Sequence, residues 1–175
     1  GADHGYASLF EKSTEFASPG YYGVHLSENN IDVQLTSTKR TGIHKYIFHK
    51  CDTANLIFDL EHRDQLIDCD ITIVNDSVIE GFRISKALAQ EQHIYFVAKF
   101  SRPFSTNISK SRTFLINENK TNKKRVSKTA LRFNINEGDT LLVKVGISAV
   151  SIDGARKNLN QEASHWDFNQ YKTEA

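Results

Sequence analysis

The segment Ile67-Asp68-Cys69-Asp70-Ile71-Thr72-Ile73 places an apolar residue at every second position. The same alternation occurs in Ile31-Asp32-Val33-Gln34-Leu35-Thr36 and in Leu141-Leu142-Val143-Lys144-Val145-Gly146-Ile147. A period of two puts one face of a β-strand on a hydrophobic core and leaves the other face in solvent. These stretches therefore predict half-buried β-strands, and they decide the class of the fold.

Further short strands are predicted at residues 21–27, 43–49, 54–60, 77–84, 93–100, 113–117 and 130–136. Turn-forming sequences such as Ser18-Pro19-Gly20 and Asn136-Glu137-Gly138-Asp139 separate them. Because these connections are too short for crossover helices, consecutive strands should pair antiparallel. The sequence predicts an all-β fold, a large supersandwich-like antiparallel β-sandwich in which two sheets cover each other's apolar faces.

The end of the chain has a different pattern. Helix-forming residues replace β-branched ones in Asp153-Gly154-Ala155-Arg156-Lys157-Asn158-Leu159 and in Asp167-Phe168-Asn169-Gln170-Tyr171-Lys172. We expect one or two short helices, the first capped by Ser151 or Asp153. The last helix shows no glycine cap, so we expect more protein to follow. The expected organisation is a β-sandwich domain at residues 1–152 and a helical linker at residues 153–175.

Composition limits the class of protein. The 175 residues are 39% hydrophobic and 25% charged, and 22 Lys and Arg residues against 21 Asp and Glu residues leave a net charge of +1. One ordinary globular core is expected. No apolar run approaches the ~20 residues needed to cross a bilayer, and no global charge favours nucleic acid. The basic stretch at residues 105–128 is interpreted as a solvated hairpin with a mobile tip, and a nucleic-acid patch is the weaker alternative.

Two acidic residues and a cysteine share one predicted strand. Asp68 and Asp70 should both lie on the face opposite Cys69. Two carboxylates ~5 to 9.5 Å apart could hydrolyse a glycosidic bond, but a solvent-facing polar sheet face is the preferred interpretation. Cys69 is interpreted as a small buried hydrophobe. Cys51 lies in a loop, and whether it pairs with Cys69 stays open.

Other motifs do not assign a site from spacing alone. The histidines lack the spacing of a zinc motif, so no metal ligand is predicted among His44, His49, His62 and His93. The triplet His62-Arg63-Asp64 has none of the sequence context of a kinase. Aromatic residues could stack on sugar rings or fill the core: Tyr21, Tyr22, Phe82, Tyr95 and Phe96. Glycosylation sequons occur at Asn75, Asn107 and Asn119.

Longer strings are more specific. They include Ala17-Ser18-Pro19-Gly20-Tyr21-Tyr22, residues 35–46 and 94–104, and Gly81-Phe82-Arg83-Ile84-Ser85. The most specific is Val145-Gly146-Ile147-Ser148-Ala149-Val150-Ser151-Ile152-Asp153-Gly154-Ala155-Arg156-Lys157-Asn158-Leu159, followed by His165-Trp166-Asp167-Phe168. From about Phe10 to the end, the chain resembles the amino-terminal domain of glycoside hydrolase family 92.

The resemblance implies a calcium-dependent, inverting exo-α-mannosidase, often acting on α-1,2 linkages of N-glycans or mannan. Family members join an amino-terminal β-sandwich to an (α/α)6 barrel, which supplies the catalytic acids and calcium ligands. The expected partners are a mannose-containing glycan and a C-terminal catalytic domain of the same chain. The expected location is periplasmic or extracellular.

No residue here matches a family motif for catalysis or for calcium binding, so no catalytic, substrate-binding or metal residue is assigned. The fragment alone is expected to be inactive. Arg83 and His44 could approach the interdomain cleft, and a salt bridge or hydrogen bond on a strand face explains each equally well. The alternatives are a free-standing carbohydrate-binding or adhesion module and a purely structural domain.

Overall fold

The computed structural model describes residues 7–50, 53–116 and 121–175. Eleven strands and two helices follow one another in these residues, after a short 3₁₀ turn at Lys12–Thr14. The strands are β1 (Phe16–Ser18), β2 (Tyr21–Leu26), β3 (Ile31–Ser37), β4 (Thr41–Phe48), β5 (Thr53–Asp59), β6 (Gln65–Asn75), β7 (Val78–Lys86), β8 (Gln92–Phe100), β9 (Thr106–Ile116), β10 (Thr121–Asn134) and β11 (Thr140–Ser148). The helices are α1 (Ile152–Glu162) and α2 (Phe168–Glu174).

The strands form two sheets. Eight of them lie in the order β1-β2-β3-β4-β11-β8-β7-β6, and the other three in the order β5-β10-β9. Every pairing between strands is antiparallel. The predicted all-β sandwich is therefore confirmed, and the alternating stretches are the strands β3, β6 and β11.

The main core lies between the two sheets. Phe96 and Phe100 of the larger sheet meet Phe58 of the smaller one, with ring centroids 6.2 and 6.0 Å apart. Leu131 and Phe133, on the central strand of the smaller sheet, are fully buried in the same cluster. Burial of such large apolar side chains, worth about 1.5–3 kcal/mol each, stabilises the sandwich.

The two helices form a third layer on the outer face of the larger sheet. Ala155 and Leu159 of α1 and Phe168 and Tyr171 of α2 are buried there in one cluster with Ile43 and Val97 of the sheet. Ser151 caps α1, since its Oγ accepts a 3.0 Å hydrogen bond from the amide of Gly154. Neither helix in the described part of the chain has the length and apolar run that crossing a bilayer requires.

This third layer changes the expected exposure of one strand. The alternation in β11 predicts that Lys144 faces solvent, yet Lys144 is only 3% exposed because the turn between α1 and α2 covers it. A period of two identifies the two faces of a strand but cannot tell whether a later helix covers the outer one.

The basic stretch at residues 105–128 forms the expected hairpin. β9 and β10 pair over most of their length, with a register shift between Val126 and Lys128. These strands are longer than predicted, and Ser127 and Thr129 are buried. The expected mobile tip and the sequon at Asn119 lie outside the described residues, as does Cys51.

Candidate functional site

Two histidines and an aspartate come together on the outer face of the larger sheet. His25 on β2 lies directly opposite Asp32 on β3, and Asp32 is in turn paired with Ile47 on β4. His49 follows β4, two residues after Ile47, so its side chain lies on the same face as Asp32. The amide of His49 continues the pairing by donating to the carbonyl of Asn30 at 3.1 Å.

The carboxylate of Asp32 binds both imidazoles. Its Oδ1 lies 2.7 Å from Nδ1 of His25, and its Oδ2 lies 2.7 Å from Nε2 of His49. The side chains remain 31–44% exposed. Partial burial would raise the pKa of Asp32, but the hydrogen bonds from His49 and His25 outweigh this effect and lower the pKa below its ordinary value. We call these residues the His-Asp-His cluster.

Residue spacing along the sequence does not reveal this cluster. The spacing of His49 to other histidines matches no metal motif, and nothing in the sequence around His25 marks it as a candidate. The cluster follows from the register of the β2–β3 hairpin, whose turn at Glu28-Asn29-Asn30 places His25 opposite Asp32. Pairing of candidate strands across predicted turns would have found two of its three members.

A groove lies where β8 begins and β11 ends, beside the start of α1. Its volume is about 860 Å³, and its lining includes Arg40, His93 and Asn158. Apolar side chains also line it: Ile94 is 37% exposed, Ile147 44% and Val150 82%. One carboxylate, that of Glu91, belongs to the lining, and it lies 3.1 Å from Nε2 of His93. We call this feature the β8–β11 groove.

The acid pair of β6 does not lie on a solvent-facing polar surface as expected. Arg125 of β10 binds both carboxylates, at 3.1 Å to Asp70 and 3.5 Å to Asp68. Asp70 Oδ1 also accepts a 3.0 Å hydrogen bond from the amide of Val126. The pairing of β6 with β7 is regular from Asp68 to Ile73, so the two acids keep the alternation of the strand but are covered by β10. The paired acids join the sheets, and neither stands as a free catalytic group.

The two residues expected near an interdomain cleft have local partners. Arg83 donates to the carbonyls of Leu60, His62 and Asp64 at 2.9, 3.1 and 3.2 Å, so it fixes the loop between β5 and β6. His44 lies 2.9 Å from the hydroxyl of Tyr46. Burial lowers the pKa of His44 and raises that of Tyr46 to about 12.

The fold does not bring the aromatic candidates together as one set, although Phe82 and Tyr95 are neighbours. Phe96 is buried in the core, Tyr21 packs against Phe168, and Phe82 lies between Tyr95 and the guanidinium of Arg125. They do not form one sugar-stacking platform. Cys69 is fully buried as expected, and burial together with Asp68 and Asp70 raises the pKa of its thiol to about 12.

Comparison with known proteins identifies a family. The family model of the glycosyl hydrolase family 92 N-terminal domain matches residues 1–148. No curated protein sequence matches the chain. Among solved structures, a family GH92 alpha-mannosidase from Bacteroides thetaiotaomicron is 28% identical, with a TM-score of 0.82 over 98% of this chain. The same mannosidase has been solved in complex with mannoimidazole.

A family GH92 inverting mannosidase from the same organism has a TM-score of 0.75 at 20% identity, over 95% of this chain, and supports the fold alone. The chain spans 24% of the length of the first mannosidase and 22% of the second. Most of each relative therefore has no counterpart in the present sequence.

Proposed function

Because this chain belongs to glycosyl hydrolase family 92 and corresponds to its N-terminal domain, we propose that it is the scaffold domain of an exo-α-1,2-mannosidase. In this proposal it supports a separate catalytic domain and shapes one side of the mannose pocket. The parent enzyme is inverting and calcium-dependent, acts on N-glycans or mannan, and works in the periplasm or outside the cell. The catalytic acids and the calcium ligands belong to the catalytic domain.

One observation carries the proposal: the fold matches a solved α-mannosidase over 98% of this chain but only 24% of that enzyme. The placement of the acids agrees with it. Inverting hydrolysis needs an acid and a base roughly 6.5–9.5 Å apart on either side of the sugar. The lining of the β8–β11 groove contains one carboxylate, that of Glu91. The two acids of β6 are bound by Arg125. A second domain would supply the missing pair.

The β8–β11 groove is the surface that we assign to the catalytic domain. Its apolar side chains at Ile94, Ile147 and Val150 are exposed in the chain alone, and burial against a second domain would remove them from water. The groove also borders α1, so it lies beside the segment expected to lead towards that domain. Its polar residues, including His93 and Asn158, would remain at the rim, where a sugar could reach them.

Assays on the isolated chain test whether it lacks catalytic and sugar-binding activity of its own. With calcium present, the chain should release no mannose from α-1,2-mannobiose, and titration calorimetry with mannose oligosaccharides should show no binding heat. Mannose release would refute the scaffold assignment. Binding heat without hydrolysis would instead support a free-standing carbohydrate-binding module.

Variants of the full-length protein test the docking surface. Val150→Asp places a charge in the β8–β11 groove, and we expect it to lower α-mannosidase activity and to expose the interdomain segment to limited proteolysis. Ile108→Asp is the matched control, because Ile108 is 75% exposed on the smaller sheet, away from the groove. Equal activity of the two variants would contradict docking at this groove.

A further inference from the structure

We propose that the His-Asp-His cluster of His25, Asp32 and His49 is a binding site for Zn²⁺. One donor atom from each residue lies within 4.8 Å of the other two. The residues are separated by 7 and 17 positions along the chain, so the site is formed only when β2, β3 and the end of β4 pair. This proposal is independent of the proposed scaffold function.

The donor set selects the metal. Two imidazole nitrogens and one carboxylate oxygen are ligands that zinc takes in tetrahedral sites with three protein ligands and an open fourth position. Calcium requires six to eight oxygen ligands, and magnesium prefers carboxylates and waters in an octahedral arrangement. Neither preference fits two imidazoles. The cluster therefore favours a divalent transition metal over the alkaline-earth ions.

The three side chains must rearrange locally to bind one ion. Ligands roughly 2.0–2.1 Å from a tetrahedral zinc ion stand roughly 3.3 Å from one another. The nitrogens of His25 and His49 now lie 2.7 Å from the oxygens of Asp32, as hydrogen-bonded partners. The two nitrogens face different oxygens of Asp32, and the three donor atoms lie within 4.8 Å of one another. To admit the ion, each hydrogen-bonded contact must open by roughly half an ångström and the widest donor pair must close by up to roughly 1.5 Å. The nitrogens that would bind zinc now donate to the carboxylate, so metal binding must move each of these protons to the other ring nitrogen or to solvent.

The surroundings leave room for a fourth ligand. The three side chains are 31–44% exposed, and a depression of about 180 Å³ opens beside His25 and Asp32. Its lining also includes Phe16 and Gln34. A water molecule would complete the coordination. The bound ion would connect three neighbouring strands at one end of the sheet, so zinc should stabilise the fold as well as bind to it.

Titration calorimetry of the untagged chain with ZnCl₂ tests the proposal. We expect one equivalent to bind. His49→Ala and Asp32→Asn should each weaken binding by at least about tenfold, because even the loss of a residue that only hydrogen-bonds to a metal ligand typically lowers affinity by about 10–100-fold. His93→Ala is the matched control, because His93 also pairs with a carboxylate, Glu91, but lies outside the cluster. Its zinc affinity should equal that of the wild-type chain.

Two further readouts separate ligand loss from misfolding. Zinc at about 100 times its dissociation constant should raise the thermal midpoint of the wild-type chain by about 5–10 °C, and CaCl₂ should not. In the absence of metal, His49→Ala should retain the wild-type midpoint to within about 2 °C, since His49 is half-exposed at the surface. Absence of zinc binding, or binding that His49→Ala leaves unchanged, would overturn the site.

Discussion

The ammonium group of Lys144, on β11, donates a 2.7 Å hydrogen bond to the main-chain carbonyl of Ala163, the C-cap residue of α1. The same group donates to the carbonyl of His165 at 3.2 Å and lies 4.0 Å from the ring centroid of Trp166. A cation at a helix C-terminus is stabilised by the carbonyls that the helix leaves unpaired. Lys144 therefore fixes the third layer of the fold to the centre of the larger sheet.

Replacement of Lys144 should weaken this connection. Lys144→Met keeps much of the side-chain volume but leaves the carbonyls of Ala163 and His165 without their donor. We expect the free energy of unfolding at pH 7 to fall by about 1–3 kcal/mol, measured by urea denaturation. Lys157→Met is the control, because Lys157 is exposed on α1, and its effect should stay within about 0.5 kcal/mol.

The stability that depends on Lys144 should change with pH. Burial, with Lys99 nearby, lowers the pKa of Lys144 from 10.5 to about 8. Above pH 8 the folded chain releases the proton while the unfolded chain keeps it, so the unfolded state binds more protons and stability rises with pH. The wild-type chain should gain up to about 3 kcal/mol relative to Lys144→Met between pH 8 and 10.5. A constant difference between the two proteins would contradict the lowered pKa.

The close approach of α1 to the sheet depends on Gly146. A Cβ atom at this position would lie 2.6 Å from the carbonyl oxygen of Ala155 and 2.7 Å from Cβ of Leu159. Gly146→Ala should therefore push α1 away from β11 and cost about 1–3 kcal/mol in urea denaturation.

A second glycine provides the matched control for that substitution. Gly42 lies on the neighbouring strand β4, and a Cβ there would come no closer than 3.4 Å to the ring of His44. Gly42→Ala should change stability by less than about 0.5 kcal/mol. Similar losses in both variants would show that the effect is a general one of glycine in strands and does not depend on contact with the helix.

The link between β6 and β10 depends on Asp70. Asp70→Ala leaves the amide of Val126 without its acceptor and Arg125 with Asp68 as its remaining carboxylate partner. We expect a loss of about 2–3 kcal/mol in urea denaturation. Asp70→Asn retains an oxygen acceptor for Val126, so its loss should be smaller. An equal loss in the two variants would assign the stabilisation to the charge alone.

Sequence periodicity predicted the sandwich because each strand carries its own pattern, as in Leu141 to Ile147. Ser151 was identified as a cap candidate for the same reason, since capping is a local interaction. The placement of Asp70 was not predictable in this way, because it depends on Arg125, which is 55 residues away. Burial of Lys144 likewise depends on helices that follow it in the chain.

The His-Asp-His cluster depends partly on local sequence and partly on strand pairing between residues that are further apart in the chain. His25 and Asp32 are joined by one tight hairpin, so their pairing is nearly local. His49 requires the next strand as well, and its position on the shared face follows only from the register of β3 with β4. The domain boundary expected at residue 152 stays a prediction.

Calcium should have no effect on the thermal stability of this chain, although the proposed parent enzyme requires it. Calcium needs several carboxylate or carbonyl oxygens converging on one point. In the described residues, acids that could contribute are instead bound to cations: Asp139 holds Arg102 at 2.7 Å, and Glu162 holds Arg40 at 2.6 Å. We expect CaCl₂ to leave the thermal midpoint of the isolated chain unchanged, and to raise that of the full-length enzyme after EDTA treatment. A calcium-dependent midpoint in the isolated chain would place a ligand set within these residues and would contradict the assignment of calcium to the catalytic domain.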